Sequence, residues 1–328
     1  MQPRTIEWGI AGPGGIARKF ARDLRVAGGG NLRAVAGRDI SRARSFAEEF
    51  GAELAFDDIS ALATDPRIDI VYVATPHNAH FAVAKLLLES GKAVLCEKPM
   101  TVNATQAREL ADAARSGRVF LMEAMWTRFL PVYGRVREWI RSGRIGRPRI
   151  VTSGFCGRGV QDPSRRWLNP DLAGGGLLDL GVYNLAMSQF VFGEKPDRIQ
   201  SVAAFAATGV DEMLSVSLGY PCGGLAQFAC GFAAQGDNSL CIAGEEGQIL
   251  IPAIFISAQE ATMTSGKHVE TVLEPLRGEG FEYECEEAMR CLHSGEIESP
   301  LMPWADTIAT AEVMDEIRSQ IGLRFPFE

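Results

Sequence analysis

The sequence predicts a doubly wound, parallel α/β domain followed by an α+β domain with a large, mostly antiparallel sheet. Three observations predict it. Up to residue 123, short continuous apolar runs alternate with stretches of helical periodicity, as in a parallel sheet covered on both faces. A glycine-rich turn joins the first apolar run to the first helix. Beyond residue 124 the pattern becomes a series of alternating strands with few helices between them.

In chain order, the apolar runs are Ile6–Ala11, 32–37, 70–74, 93–96 and 119–124. The first intervening helix gathers Ile16, Ala17, Phe20, Ala21 and Leu24 on one face; further helices are expected at 41–50, 77–90 and 103–116. Right-handed crossovers turn this alternation into an α/β Rossmann domain over residues 1–123. Residues 124–328 form the expected substrate-binding and oligomerisation domain, whose last helix is free to pack back on the first. It begins with a helix at 131–142 and a strand at 149–155. A turn at 174–176 opens a helix over 177–192, stopped by Gly193. Strands follow at 213–220, 225–232, 239–243 and 248–251, then helices at 281–294 and 303–321. Strand 213–220 sets Leu214, Val216, Leu218 and Tyr220 on one face. The other face, with Met213, Ser215, Ser217 and Gly219, is small and mildly polar, suited to water or to a second sheet.

The 328 residues, 46% hydrophobic and 23% charged, suit two globular domains. A net charge of −8 argues against nucleic acid and anionic membranes as partners. The arginines from Arg135 to Arg149 read as a solvated helix face and loop. Seven cysteines without a CxxC pair fit a reducing compartment. There is no secretory leader pattern and no apolar run of roughly 20 residues. A cytoplasmic protein is expected.

Gly12-Pro13-Gly14-Gly15-Ile16-Ala17 follows the first strand and opens the first helix. Gly12 permits the tight turn, Gly14 and Gly15 let a pyrophosphate approach the backbone, and Ala17 permits close helix–strand packing. Free N–H groups at the helix start, from Ile16 onward, meet the negative charge. This context makes the motif a dinucleotide site. At the end of the second strand, Gly37 stands where an NAD enzyme carries an acid, and Arg38 follows it. A guanidinium there suits a 2′-phosphate, so NADP is the expected cofactor and NAD the lesser alternative. Asp39 is open to two roles, capping the next helix with Ser41 or binding a ribose 2′-OH. Strand 93–96 ends in Glu97-Lys98-Pro99 at the carboxyl edge, where α/β sheets bind ligands. Lys98 is expected to project towards the nicotinamide, through a Lys98–Pro99 bond that is free to be cis.

Glu97-Lys98-Pro99, the Gly-x-Gly start and Asp179-Leu180-Gly181-Val182-Tyr183 together resemble the glucose–fructose oxidoreductase and inositol dehydrogenase family. The segments 93–100, 122–129 and 175–181, and Glu298-Ser299-Pro300 near the end, extend the resemblance over nearly the whole chain. It is closest to the dimeric dihydrodiol dehydrogenase branch, which also holds NADP-dependent D-xylose 1-dehydrogenases. The resemblance implies that Lys98 positions and polarises the reacting oxygen, and that an acid/base lies on the helix after the second glycine-rich turn. Many family members carry histidine there; this chain has Tyr183, as that branch does. The resemblance also implies that the turn holding Thr75, His77 and His80 lines the cofactor cleft, with Glu97 in the cofactor-binding set. A homodimer through the second domain's sheet is implied as well.

Asp179 and Tyr183 are four apart and share a face on a helix. A nearby Lys98 ammonium would stabilise the phenolate and make Tyr183 an effective base. Asp179 would hold a substrate hydroxyl or orient Lys98; its plain alternative is a helix-start carboxylate. Trp126 and Phe155 are candidates for an apolar substrate wall, Phe255 and Phe281 weaker ones, and all four are also ordinary core candidates. Nothing local decides the role of Arg165, Arg166 and Trp167. His77 and His80 have no cysteine or carboxylate cluster beside them, and no metal is expected. The resulting expectation is an NADP-dependent oxidoreductase acting on a carbinol or carbonyl of a small polyhydroxylated substrate, a trans-dihydrodiol or an aldose such as D-xylose. The alternative is a non-catalytic, dinucleotide-binding sugar sensor on the same fold.

Overall fold

The computed structural model describes residues 4–159 and 162–328. They divide into two compact units: the residues up to Trp126 with Arg277–Ile308, and Thr127–Leu276 with Ala309–Glu328. The sequence places residues 124–328 in the second domain, with the last helix free to pack back on the first. The structure instead groups Arg277–Ile308 with the first unit.

In the first unit, β1 (Ile6–Ala11), α1 (Gly15–Ala27), β2 (Gly30–Ala36), α2 (Ile40–Phe50), β3 (Leu54–Phe56), α3 (Ser60–Thr64), β4 (Ile70–Val73), α4 (His77–Glu89), β5 (Ala93–Glu97), α5 (Ala104–Gly117) and β6 (Leu121–Ala124) alternate. All the strand pairs are parallel, in the order β3-β2-β1-β4-β5-β6. This is the Rossmann order, with its switch point between β1 and β4. β4 and β5 are buried along their whole length, which is why they read as unbroken apolar runs. β3 and α3 escape sequence reading because three and five residues carry too little periodicity to register.

The return of Arg277–Ile308 has a polar cause. The carboxylate of Asp23 on α1 accepts N–H bonds from Glu279 (2.9 Å) and Phe281 (2.9 Å). The indole of Trp304 donates to the Leu121 carbonyl (2.8 Å), and the Thr307 hydroxyl to Glu123 (2.9 Å). These bonds join residues roughly 180 to 260 apart in sequence and leave no local pattern.

The second unit holds α6 (Pro131–Arg141), β7 (Pro148–Cys156), α7 (Val182–Phe192), β8 (Arg198–Phe205), β9 (Asp211–Gly219), β10 (Leu225–Gly231), β11 (Leu240–Gly244), β12 (Gly247–Ile251), β13 (Glu260–Ser265) and β14 (His268–Leu273). Its eight strands run in the order β14-β13-β12-β11-β7-β10-β9-β8, antiparallel except for the parallel pair β7–β10. Two helices complete the chain: α8 (Glu282–Ser294) in the first unit, and α9 (Trp304–Ile321), which spans the division at residue 308. One face of the sheet buries Val151, Leu214, Val216, Phe228, Ile242 and Met263. α7 packs against β7 and is buried nearly all round, its Asn184 amide donating to Ser153 Oγ (2.8 Å). The opposite face carries exposed Thr152, Ser215, Ser217, Gln227 and Leu250. The alternation read for strand 213–220 therefore has its apolar side inward. β8 and β14, the edge strands, show little contrast between faces and were not read from the sequence; nor was β13, whose inward Ala261 and Met263 stand among four polar residues.

Candidate functional site

In the first unit, the candidate coenzyme site begins at the turn from β1 to α1. Gly12 has φ +100, and a Cβ there would lie 2.7 Å from the Ala74 carbonyl oxygen, so only glycine fits between β1 and the end of β4. Gly14 and Gly15 differ: a Cβ on either would meet no atom of the described residues within 4 Å. The first turn of α1 carries no acidic residue, and Gly14 at its N-cap offers no side-chain acceptor. Amide N–H groups of Gly15 and Ile16 thus begin a helix whose positive end faces open space, the physical requirement for a phosphate. Ala17 is fully buried, as close packing demands. Thr75 Oγ1, just past β4, is buried with no hydrogen-bond partner among the described residues. An open helix start and an orphaned hydroxyl fit a pyrophosphate-bearing coenzyme.

At the end of β2 the capping role left open for Asp39 is observed. A Cβ on Gly37 would lie 2.7 Å from Pro13 Cδ, so the position is glycine because the phosphate turn packs on it. Asp39 caps α2: it accepts from the amides of Ser41 (2.9 Å) and Arg42 (3.3 Å) and from the Ser41 hydroxyl (2.6 Å). The Ser41 hydroxyl, foremost, and these amides hold its carboxyl below the usual range. Arg38 and Arg42 are exposed and form no ion pair among the described residues. A cavity of about 340 Å³ is lined by Gly14, Gly15, Arg18, Ser41, Arg42 and Ser45. The sequence reading found Arg38 but not Arg18, Arg42 or Ser45. A basic residue on the first turn of α2 was the available signal.

At the tip of β5 the Lys98–Pro99 peptide is cis. Glu97 is buried and turned into the domain: it accepts from the Tyr72 hydroxyl and from the Lys98 amide (3.1 Å). Lys98 is half-buried. His80 bridges two turns, Nδ1 against the Pro99 carbonyl (2.9 Å) and Nε2 against the Thr75 carbonyl (2.8 Å). It therefore fixes the Thr75 turn to the Lys98 turn. His77 is buried, its ring edge-on to His80 at 5.7 Å. Trp126 stacks on Phe281, with centroids 5.0 Å apart and planes at 6°.

The second unit carries the candidate phenol, Tyr183. Leu177–Gly181 forms a π-helical turn before α7, a widening that recurs at functional sites. Asp179 lies in it and Tyr183 one turn later; both are buried, at 7% and 6% exposure. Tyr183 meets Phe155 edge-on at 5.7 Å, and Phe155 meets Phe255 at 6.0 Å. The Asp179 carboxylate accepts from Arg166 Nη2 at 3.0 and 3.2 Å. That partner, 13 residues away, was not identified from sequence, since no periodicity links a loop arginine to a helix. Nor was Asp211, fully buried, whose Oδ2 accepts from the Leu177 amide at 2.6 Å. Among the described residues no group of three or more His, Cys, Asp or Glu could hold a metal ion, and no helix is long and apolar enough to cross a membrane.

Residues 6–125 match the family model "Oxidoreductase family, NAD-binding Rossmann fold", and residues 133–250 match "GFO/IDH/MocA C-terminal domain". The trans-1,2-dihydrobenzene-1,2-diol dehydrogenase of Bos taurus is 38% identical, over 98% of this chain and 98% of its own length. Among solved structures, KijD10, a 3-ketoreductase from Actinomadura kijaniata in complex with NADP, superposes with a TM-score of 0.83 at 25% identity, over 97% of this chain and 98% of that one. Levoglucosan dehydrogenase in complex with NADH and levoglucosan has the same fold at 20% identity, with a TM-score of 0.88 over 97% of this chain and 98% of that one. With both domains matched in order and a full-length relative above 30% identity, the chain belongs to the GFO/IDH/MocA family of oxidoreductases, with a nicotinamide-dinucleotide-binding Rossmann domain.

Proposed function

We propose that the chain is an NADP-preferring dehydrogenase acting on a CH–OH group of a small diol or sugar, with Lys98, Tyr183 and Asp179 serving the reaction. The observation that carries the reading is 38% identity, end to end, with a trans-1,2-dihydrobenzene-1,2-diol dehydrogenase, in a chain that has all three residues. A trans-dihydrodiol and an aldose such as D-xylose are the substrates of choice. Of the four aromatic candidates, Trp126, Phe255 and Phe281 are buried in the core, and the half-buried Phe155, edge-on to Tyr183, is the one that favours the diol. The preference for NADP draws support from the capping of α2 by Asp39 and from the exposed Arg38 and Arg42. With the Asp39 carboxylate taken up by backbone amides, guanidinium groups are left to meet a 2′-phosphate. Thr75, His77, His80 and Glu97 shape the coenzyme's surroundings.

A nicotinamide dinucleotide held at Gly12, Gly14, Gly15 and Ile16 would supply the hydride acceptor or donor for the carbinol carbon. Tyr183 removes the hydroxyl proton in oxidation and returns it in reduction. The Lys98 ammonium polarises the reacting oxygen. Asp179 accepts from a second substrate hydroxyl. The exposed face of the large sheet is the proposed homodimer surface, and seven free cysteines suit the reducing cytoplasm. The test is reduced-coenzyme formation with NADP and a panel of diols and sugars. Tyr183→Phe should lower turnover at least about 100-fold while leaving coenzyme affinity unchanged. Turnover within a factor of a few of the parent would remove Tyr183 from the chemistry.

A further inference from the structure

The turn Gly174-Gly175-Gly176 that opens the Asp179–Tyr183 segment is built around a carboxylate. A Cβ on Gly175, whose φ is +127, would lie 2.1 Å from Asp211 Oδ1, and one on Gly176 would lie 3.4 Å from Oδ2. Asp211 comes from the start of β9, 34 residues further on, and is fully buried. Oδ2 accepts the Leu177 amide at 2.6 Å, and the Gly176 amide also points to the carboxylate. Oδ1 has no partner among the described residues. A buried carboxylate with an unmatched oxygen is costly to keep.

We propose that Asp211 is a positioning residue for the reaction: its carboxylate seats the π-helical turn and thereby fixes where Asp179 and Tyr183 point. This rests on the assignment of those two residues to the chemistry. Among the described residues, the charged or titratable groups facing Asp211 include Arg318 from α9 and the Cys230 thiol from β10. Burial, foremost, pushes the Asp211 carboxyl up to about 7, against the opposing pull of the Leu177 amide and of Arg318. The ionised cap is therefore present above about 7 and lost as pH falls through it. Folding stability runs the opposite way. A raised carboxyl favours the folded state at low pH, below its ordinary 3.8, and that contribution is gone once pH passes about 7.

The two opposed trends give the test. Asp211→Asn keeps an acceptor and removes the charge. Its kcat at pH 8, with NADP and whichever of D-xylose or trans-1,2-dihydrobenzene-1,2-diol is turned over, should fall about tenfold or more. Its Tm at pH 8 should be no lower than the parent's, NADP affinity should be unchanged, and the acid limb of the kcat profile near 7 should disappear. A second measurement needs no variant and no turnover. In the parent, amide exchange at Gly176 and Leu177, corrected for intrinsic rate, should quicken as pH falls from 8 to 6. Unchanged kcat and acid limb in Asp211→Asn, or protection of those amides independent of pH, overturns the proposal. If Tyr183→Phe keeps full turnover while the amides respond as expected, the catalytic assignment fails and the capping role stands.

Discussion

Two glycine-rich turns in this chain lead into helices, and they solve opposite problems. At Gly12-Pro13-Gly14-Gly15 the helix start is open, with no acidic residue in its first turn and no described atom within 4 Å of a Cβ on Gly14 or Gly15. At Gly174-Gly175-Gly176 the protein's own carboxylate, Asp211, fills the corresponding space. Both starts carry the positive end of a helix and unpaired amides. One leaves them for an external anion; the other satisfies them internally. Glycine in such a turn therefore reports close approach of something, and only the fold says whether it is a ligand or a side chain.

The largest expected effect on this contrast comes from Gly175→Ala. Its positive φ and the collision with Asp211 should cost about 2–4 kcal/mol, seen as a drop in Tm of several degrees. Stability equal to the parent's would mean that the second turn is not built around the carboxylate. Gly14→Ala should do the reverse: unchanged Tm, because φ is −94 and space is free, but coenzyme affinity about tenfold weaker or worse as the methyl blocks the approach of a phosphate. A variant that melts early yet binds normally would make the first turn structural. The smallest effect is selective. Arg38→Ala should weaken NADP about tenfold at most and leave NAD unaffected, measured by titrating each coenzyme. Equal loss for both coenzymes would put Arg38 elsewhere on the dinucleotide.

The first turn was legible in sequence because its logic is local: strand, turn and helix are contiguous, and spacing alone orders Gly12, Gly14 and Ala17. The Lys98 turn was legible for the same reason, as the end of an apolar strand. Asp39 was legible only as two alternatives, of which the structure shows the cap, through the Ser41 and Arg42 amides. In the second unit the apolar alternation of β9 told inside from outside, yet β8, β13 and β14 passed unseen. α8 is a sharper case. Its Glu282, Glu284 and Glu287 are all buried, which no local pattern announces. Burial, foremost, raises the Glu284 carboxyl well above the usual range, with Glu97 and Asp23 adding to it.

By itself, the sequence determined the alternation that makes a parallel sheet, the coenzyme turn, the Lys98 tip and the presence of an aspartate and a tyrosine four residues apart. Each depends on neighbours within a turn or two of the chain, and local backbone geometry constrains those. Tertiary structure alone decided that Arg166 faces Asp179, that Asp211 sits beneath Gly175, and that Arg277–Ile308 returns to the first unit. Those pairings join groups 13 to about 260 residues apart, and long-range hydrogen bonds of buried charges leave no periodic trace in the chain.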